Sequence, residues 1–190
     1  MSYTIHTTPV LVLSSQPYRE ADRLYSLLTK ELGLIRASAQ GVRKEHSKLR
    51  GSLEPISLST VSFVKGKEFW RITSSSVDEN ISIKLNKDKK LLKAISQALA
   101  LLERMIQGET PHPELFDALE KLIKEAVKNE VGLAPRSSKN EVGDVKDFET
   151  KLVATILADL GYLNKTDLTL GTKDLIKSIN HGLEASQLNA

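Results

Sequence analysis

The first 76 residues of this 190-residue chain arrange apolar and polar positions in short β-branched runs, separated by glycine and proline punctuation. Thr4–Leu13 reads as an extended strand in which Pro9 favours an edge or a bulge. Leu34–Gly41 reads as another, entered through Gly33. Leu53–Val64, split by Pro55, and Glu68–Thr73 predict a hairpin around Lys65-Gly66-Lys67. Ala21–Leu32 is open between two readings. Leu24, Leu27, Leu28 and Leu32 fit a helical face, whereas Leu24–Thr29 ahead of the Glu31-Leu32-Gly33 turn fits a strand.

The pattern then changes period. Leu91, Ile95, Ala98, Leu102 and Met105 follow helical spacing, with Gly108 as a stop signal. Pro113 suits the first turn of a second helix carrying Leu115, Phe116, Leu119, Leu122, Ile123 and Ala126. Asp144 is the expected N-cap of a third, with Phe148, Leu152, Ile156, Leu157 and Leu160 on one face and Gly161 at its end. Thr172 is the expected cap of a fourth, with Leu175, Ile176, Ile179 and Leu183 facing inward. These stripes read as core rather than as cofactor sites. Residues 129–145, with Gly132, Pro135, Ser137, Ser138 and Gly143, read as a flexible loop. The expected fold class is α+β: a small OB-fold β-barrel over residues 1–80, followed by an all-α domain over 81–190. The boundary is expected near Asn80–Lys90.

Composition narrows the function classes. Hydrophobic residues make up 40% and charged residues 27%, an ordinary globular balance rather than a disordered one. The longest apolar runs, Val10–Leu13 and Ala98–Leu102, fall far below the ~20 residues of a spanning helix, so no membrane association is expected. The N-terminus lacks the pattern of a secretory signal. With no cysteine there is no disulfide, no thiolate metal site and no cysteine nucleophile, and the expected compartment is the reducing cytoplasm. Net charge is +3, and its placement is uneven. Residues 1–80 hold eleven Lys and Arg against eight Asp and Glu; the remainder holds sixteen of each. Within Arg36–Arg71 the imbalance is eight basic to three acidic. Such a localised basic surface is the footprint of polyanion binding.

Catalytic signatures are missing from the sequence. His6, His46, His112 and His181 are scattered without metal-ligand spacing, and no GxxxxGK[ST], GxGxxG or GxSxG occurs. The expectation is a non-enzymatic protein without a cofactor.

Three motifs in Pro17–Pro55 then stand in order. Tyr18-Arg19-Glu20-Ala21-Asp22-Arg23-Leu24 fits a Y-x-E-x-D-x-L pattern, and Thr29-Lys30-Glu31-Leu32-Gly33-Leu34-Ile35-Arg36 fits T-x-E-x-G-x-x-R. Gly41-Val42-Arg43 is followed by Ser47-Lys48-Leu49-Arg50-Gly51-Ser52-Leu53-Glu54-Pro55, an S-x-L-x-G-x-L-x-P run. This stretch resembles the N-terminal domain of the RecO family of bacterial recombination mediators. Phe148-Glu149-Thr150-Lys151-Leu152 and Leu160-Gly161-Tyr162 are similar to that family's F-E-x-x-L and L-G-Y helix, more weakly. The resemblance implies that Arg23–Thr29 is a barrel strand, with Gly33 in the turn to the next. It implies a DNA repair and recombination protein that binds single- and double-stranded DNA, anneals complementary strands, contacts single-stranded-DNA-binding protein (SSB), and works with RecR to load RecA, on the nucleoid. One departure is visible. Many members carry a four-cysteine zinc motif after the L-G-Y helix, where this chain has Leu163–Gly171, so it reads as a short form without that module.

The residues themselves suggest where DNA would lie. Arg43, Lys44, Lys48 and Arg50 fall between Gly41 and Gly51, an expected barrel loop, and Lys65 and Lys67 flank a turn. Arg23, Arg36 and Arg71 lie in expected strands. Phe69 and Trp70 must face opposite sides, so at most one can stack on a base, and Trp70 is expected in the core. For partner contact, Arg104 and Arg136, with Lys87, Lys89, Lys90 and Lys93, are the candidate cations for an acidic SSB tail. Two other readings stay open: a generic OB-fold nucleic-acid module, and a protein-interaction adaptor whose basic loop is only solvated surface.

Overall fold

The computed structural model describes residues 4–106, 108–132 and 141–185. Strands β1 (Ile5–Pro17), β2 (Arg23–Thr29), β3 (Gly33–Ala39), β4 (Ser57–Val64) and β5 (Trp70–Asn80) close into a barrel in the order β1-β2-β3-β5-β4. Every pairing is antiparallel except β3 with β5, which meet through Ala37–Trp70 and Ser38–Arg71. Helices follow, as an OB-type barrel with an α domain requires.

The segment with two readings is strand β2. Tyr25 and Leu27 point into the barrel, while Leu28 joins the core outside it. Burial on both faces puts leucines on both sides of the strand and produces the apparent helical stripe. Strand β1 is longer than its apolar run. It pairs with β4 along Ile5–Val12 and with β2 along Val10–Pro17, with a bulge between Val12 and Ser14. The Pro9 carbonyl accepts from Lys30 N at 3.2 Å, beyond the end of the β1–β2 ladder, so the missing proline N–H breaks no ladder bond.

The T-x-E-x-G motif is the turn between β2 and β3. Thr29 Oγ1 accepts from Leu32 N and donates to Gly33 O, both at 2.9 Å, and Gly33 takes φ +73°. A Cβ at Gly33 would lie 2.1 Å from the carbonyl oxygen of Thr110, so only glycine fits both the turn and this close approach.

The helices are α1 (Ile81–Lys84), α2 (Lys89–Met105), α3 (Pro113–Gly132), α4 (Glu141–Asp159) and α5 (Thr172–Ala185), with a 3-10 turn at Lys165–Thr169. Asp88 caps α2 by accepting from Lys90 N and Leu91 N. Gly161, at φ +81°, lets Tyr162 N reach Leu157 O at 2.8 Å and closes α4. Three features differ from the sequence reading. Helix α1 has no counterpart in it, because four residues carry no period. Asp144 lies inside α4 rather than capping it. Helices α3 and α4 both enter the 129–145 segment read as a loop, and residues 133–140 lie outside the described residues.

Two cores explain the assembly. Val10, Val12, Leu27, Ile35, Phe63, Trp70 and Ile72 fill the barrel. A second core joins its outer wall, at Leu11, Leu13, Leu28 and Leu58, to Ile95, Leu99 and Leu102 of α2, Phe116 and Leu119 of α3, and Leu152 and Ile156 of α4. The unbroken run Val10–Leu13 is therefore buried on both faces. A third cluster ties α5 to α4 through Leu157, Leu175 and Ile179.

Candidate nucleic-acid interface

Two concave sites lie on the barrel: the turn Tyr18–Asp22 between β1 and β2 walls the first, and the second begins at Arg23, the next residue. This turn is held from below by the start of the β3–β4 loop. Gly41 N donates to Asp22 Oδ1 at 2.8 Å, Arg43 N to Ala21 O at 3.0 Å, and the Arg43 guanidinium to Glu20 O at 3.0 Å. The aspartate of the Y-x-E-x-D-x-L motif thus fixes backbone.

The first is an open cleft of about 630 Å³, where Arg19, Lys65, Lys67 and Arg71 surround Tyr18 and Phe69. Asp22 and Glu68 are its acidic members. The two rings meet edge to face, 5.8 Å between centroids, and the Arg19 guanidinium lies 5.1 Å from the Tyr18 ring. Arg19 takes φ +62°, uncommon for a side-chain-bearing residue, and this aims it over that ring. Alternation decides the aromatic question. Trp70 is 5% exposed and packs in the barrel, whereas Phe69 is half-buried and lines the cleft.

The second is a hollow of about 200 Å³, lined by Arg23, Arg43, Arg50, Tyr25, Ser15 and Glu54 among others. The Arg23 Nε is buried and has no hydrogen-bond partner. Burial pushes the Tyr25 hydroxyl up to about 12, against the pull of Arg23 and with a smaller push from Glu54, so it stays a proton donor at neutral pH.

The sequence-predicted cations therefore divide. Lys65, Lys67 and Arg71 share the cleft; Arg23, Arg43 and Arg50 share the hollow. Arg36 is exposed on the outer face of β3 opposite Ser26, in a third depression that includes Glu103 of α2. Lys44 and Lys48 are exposed on the loop and line neither site. That loop is a succession of turns, with bonds from Lys44 N to Gly41 O, Ser47 N to Lys44 O and Arg50 N to Ser47 O. Arg104 is exposed in the last turn of α2, and Arg136 lies outside the described residues.

Lys65 also has a second role. It pairs with Glu109 at 3.1 Å and sits 5.0 Å from the Trp70 ring, while Trp70 Nε1 donates to Glu109 at 2.8 Å. These two donors, Trp70 first, hold the Glu109 carboxyl below its ordinary range. Glu109 lies beyond α2, 44 residues from Lys65, so nothing local in the sequence announces the pair. Tyr18 was visible only as a motif letter, and Arg19 stood in one of the motif's open positions. The signal available was a cation beside an aromatic ring in a projecting turn.

The remaining polar clusters are structural. His112 Nδ1 lies 2.8 Å from Asp159 Oδ2, and its carbonyl accepts from Phe116 N at the start of α3. Among the described residues no group of three or more His, Asp or Glu is placed to hold a metal ion. Among them, too, no helix is long and apolar enough to cross a membrane.

Fold and site together define an OB-type barrel with a basic, aromatic-lined surface, backed by a helical domain. Residues 1–80 match the family model described as Recombination protein O N terminal. Curated relatives agree. A DNA repair protein RecO of Thermodesulfovibrio yellowstonii is 34% identical over 58% of this chain and 44% of its own length. One from Dehalococcoides mccartyi is 34% identical over 62% and 46%, and one from Myxococcus xanthus 32% over 64% and 50%. The N-terminal barrel is thus similar to the N-terminal part of RecO proteins. The match spans about half the length, or less, of these relatives.

Proposed function

We propose that this chain serves DNA repair and recombination as a non-catalytic mediator that binds single- and double-stranded DNA and anneals complementary strands. The observation that carries the reading is the cleft, where four cations ring two half-buried aromatic side chains. The cations neutralise phosphates, and the Phe69 and Tyr18 faces accept an unstacked base without reading its edge. Base edges left free can pair with a second strand, whose charge the same surface offsets. Binding is led by electrostatics and indifferent to sequence. By the same reading SSB and RecR are its protein partners and RecA benefits indirectly, with Arg104, Arg136 and the lysines Lys87, Lys89, Lys90 and Lys93 meeting the acidic SSB tail.

The test is annealing of complementary strands coated with the cognate SSB, with and without this protein, over a salt series. Neutralising ~4–6 phosphates predicts a slope of log K against log salt of roughly −3 to −5. A slope near zero overturns the reading. Normal binding to naked strands with no acceleration on SSB-coated ones leaves the generic OB-module reading in its place.

A further inference from the structure

The hollow beside the cleft has a chemistry of its own. Arg23, Arg43 and Arg50 line about 200 Å³ with Glu54 as the one carboxylate, giving the lining a net charge of +2. Like charges gather at a cost unless an anion lies between them. The Arg23 Nε is buried without an acceptor, so no internal hydrogen bond there helps offset that guanidinium's charge. The floor is built rather than adventitious: Tyr25, Val42 and Leu53 are 1–3% exposed. Arg43 is held in place by its bond to Glu20 O, and Ser15 and Tyr25 add hydroxyl donors.

We infer that this hollow seats a phosphate monoester dianion, the terminal phosphate of a DNA strand. The charge decides between phosphate types. A backbone diester carries one negative charge and leaves one of the site's two positive charges uncompensated, whereas a monoester carries close to two near neutral pH and presents three acceptor oxygens. The adjacency of the two sites along the chain supplies the route. Arg23 faces the hollow and the adjacent Asp22 faces the cleft, so a strand whose end is anchored at the arginines can lead its next bases over the Tyr18–Asp22 turn to Phe69 and Tyr18. This rests on the DNA-binding reading, and it adds recognition of strand ends to a surface otherwise indifferent to sequence.

The test uses the full chain and one short single-stranded oligonucleotide in three forms: 5′-hydroxyl, 5′-phosphate and 5′-methylphosphate, with the 3′-phosphate isomer as a fourth. Fluorescence anisotropy is expected to show a 5′- or 3′-phosphorylated strand binding about tenfold tighter than the hydroxyl form, with the methyl ester losing most of that gain. Arg50→Gln, at an exposed residue, is expected to bring the ratio of phosphorylated to hydroxyl affinity down toward one, whatever it costs the 5′-hydroxyl strand. Arg71→Gln, in the cleft, is expected to weaken all forms alike. Equal affinity for the phosphorylated and hydroxyl forms overturns the inference and leaves DNA binding intact. Failure of every oligonucleotide to bind overturns the DNA reading and the strand-end source together. In that case a ³¹P line-broadening titration with inorganic phosphate, sensitive to Arg50→Gln, would reassign the hollow to a free phosphate. No broadening would remove the anion site as well.

Discussion

The two outer faces of the barrel differ in what alternation sends outward, and strand β3 runs from one to the other. Its outward positions are Leu34, Arg36 and Ser38. Leu34 packs against the helical core, Arg36 stands at the border beside Glu103, and Ser38 opens into the aromatic cleft. On the covered face Leu11, Leu13, Leu28 and Leu58 are closed off by helices; on the open face Arg71 projects from the neighbouring strand β5. The helical domain is thus the complement of the apolar half of the barrel wall, and it leaves the basic half to solvent. The supported face and the proposed binding face are separated by one strand's worth of side chains.

Removing the covered face should have the largest effect. Leu28→Ala, at a position with no exposure, should cost ~2–5 kcal/mol. Because that core joins strands to helices, thermal unfolding should remain a single transition at lower temperature. Two separated transitions would show that barrel and helices fold independently. Breaking the open face should leave stability alone. A Lys67→Glu/Arg71→Glu variant should melt as the parent does, yet bind DNA weakly, with the salt slope reduced by ~2 for the two lost phosphate contacts. An unchanged slope would place the DNA elsewhere, with Arg43→Glu/Lys48→Glu the next variant to try.

A subtler change sharpens the comparison within the cleft. Phe69→Ala should cost ~1–3 kcal/mol of single-strand affinity, the worth of one stacked base, and spare duplex binding, whose bases are already stacked. Equal losses on both substrates would make Phe69 a support for Tyr18 rather than a platform. The smallest effect concerns the tie between the faces. Glu109 has a lowered pKa in the folded state, so its contribution is present above the ordinary carboxylate range and fades as pH falls through its folded value. Glu109→Gln should lower the melting temperature slightly at neutral pH, by the less than ~1 kcal/mol of a half-exposed pair. The gap from the parent should close as pH falls below the ordinary carboxylate range, as protonation removes the same charge from the parent. A gap constant with pH would mean the Trp70 hydrogen bond alone matters.

The motifs that carry the family resemblance turn out to be largely turn chemistry. Thr29 and Gly33 shape the β2–β3 turn, and Asp22 and Gly41 lock the β1–β2 turn to the following loop. They were legible because a tight turn restricts residue type at fixed spacing. The basic bias of residues 1–80 was legible for a similar reason, since charge is a property of composition. Strand existence, helix faces and the burial of Trp70 followed from period. The position of β2 did not follow from period, because burial on both faces erases alternation, and the family resemblance supplied it.

What composition and period could not specify is which cations meet. Arg36 and Arg71 have equivalent alternation, yet closure of the barrel puts one beside Glu103 and the other beside Phe69. Arg23, Arg43 and Arg50 are up to 27 residues apart and line one hollow only because the loop folds back onto the start of β2. Lys65 finds Glu109 only because the α2–α3 connection returns to the barrel, where Gly33 leaves room for it. The sequence by itself determined most of the elements, several of their turns and the sign of the surface, since these depend on neighbours along the chain. Only the tertiary structure decided the partition of that charge into an aromatic-lined cleft, an arginine hollow and an occupied ion pair, because long-range closure sets distances that no local pattern contains.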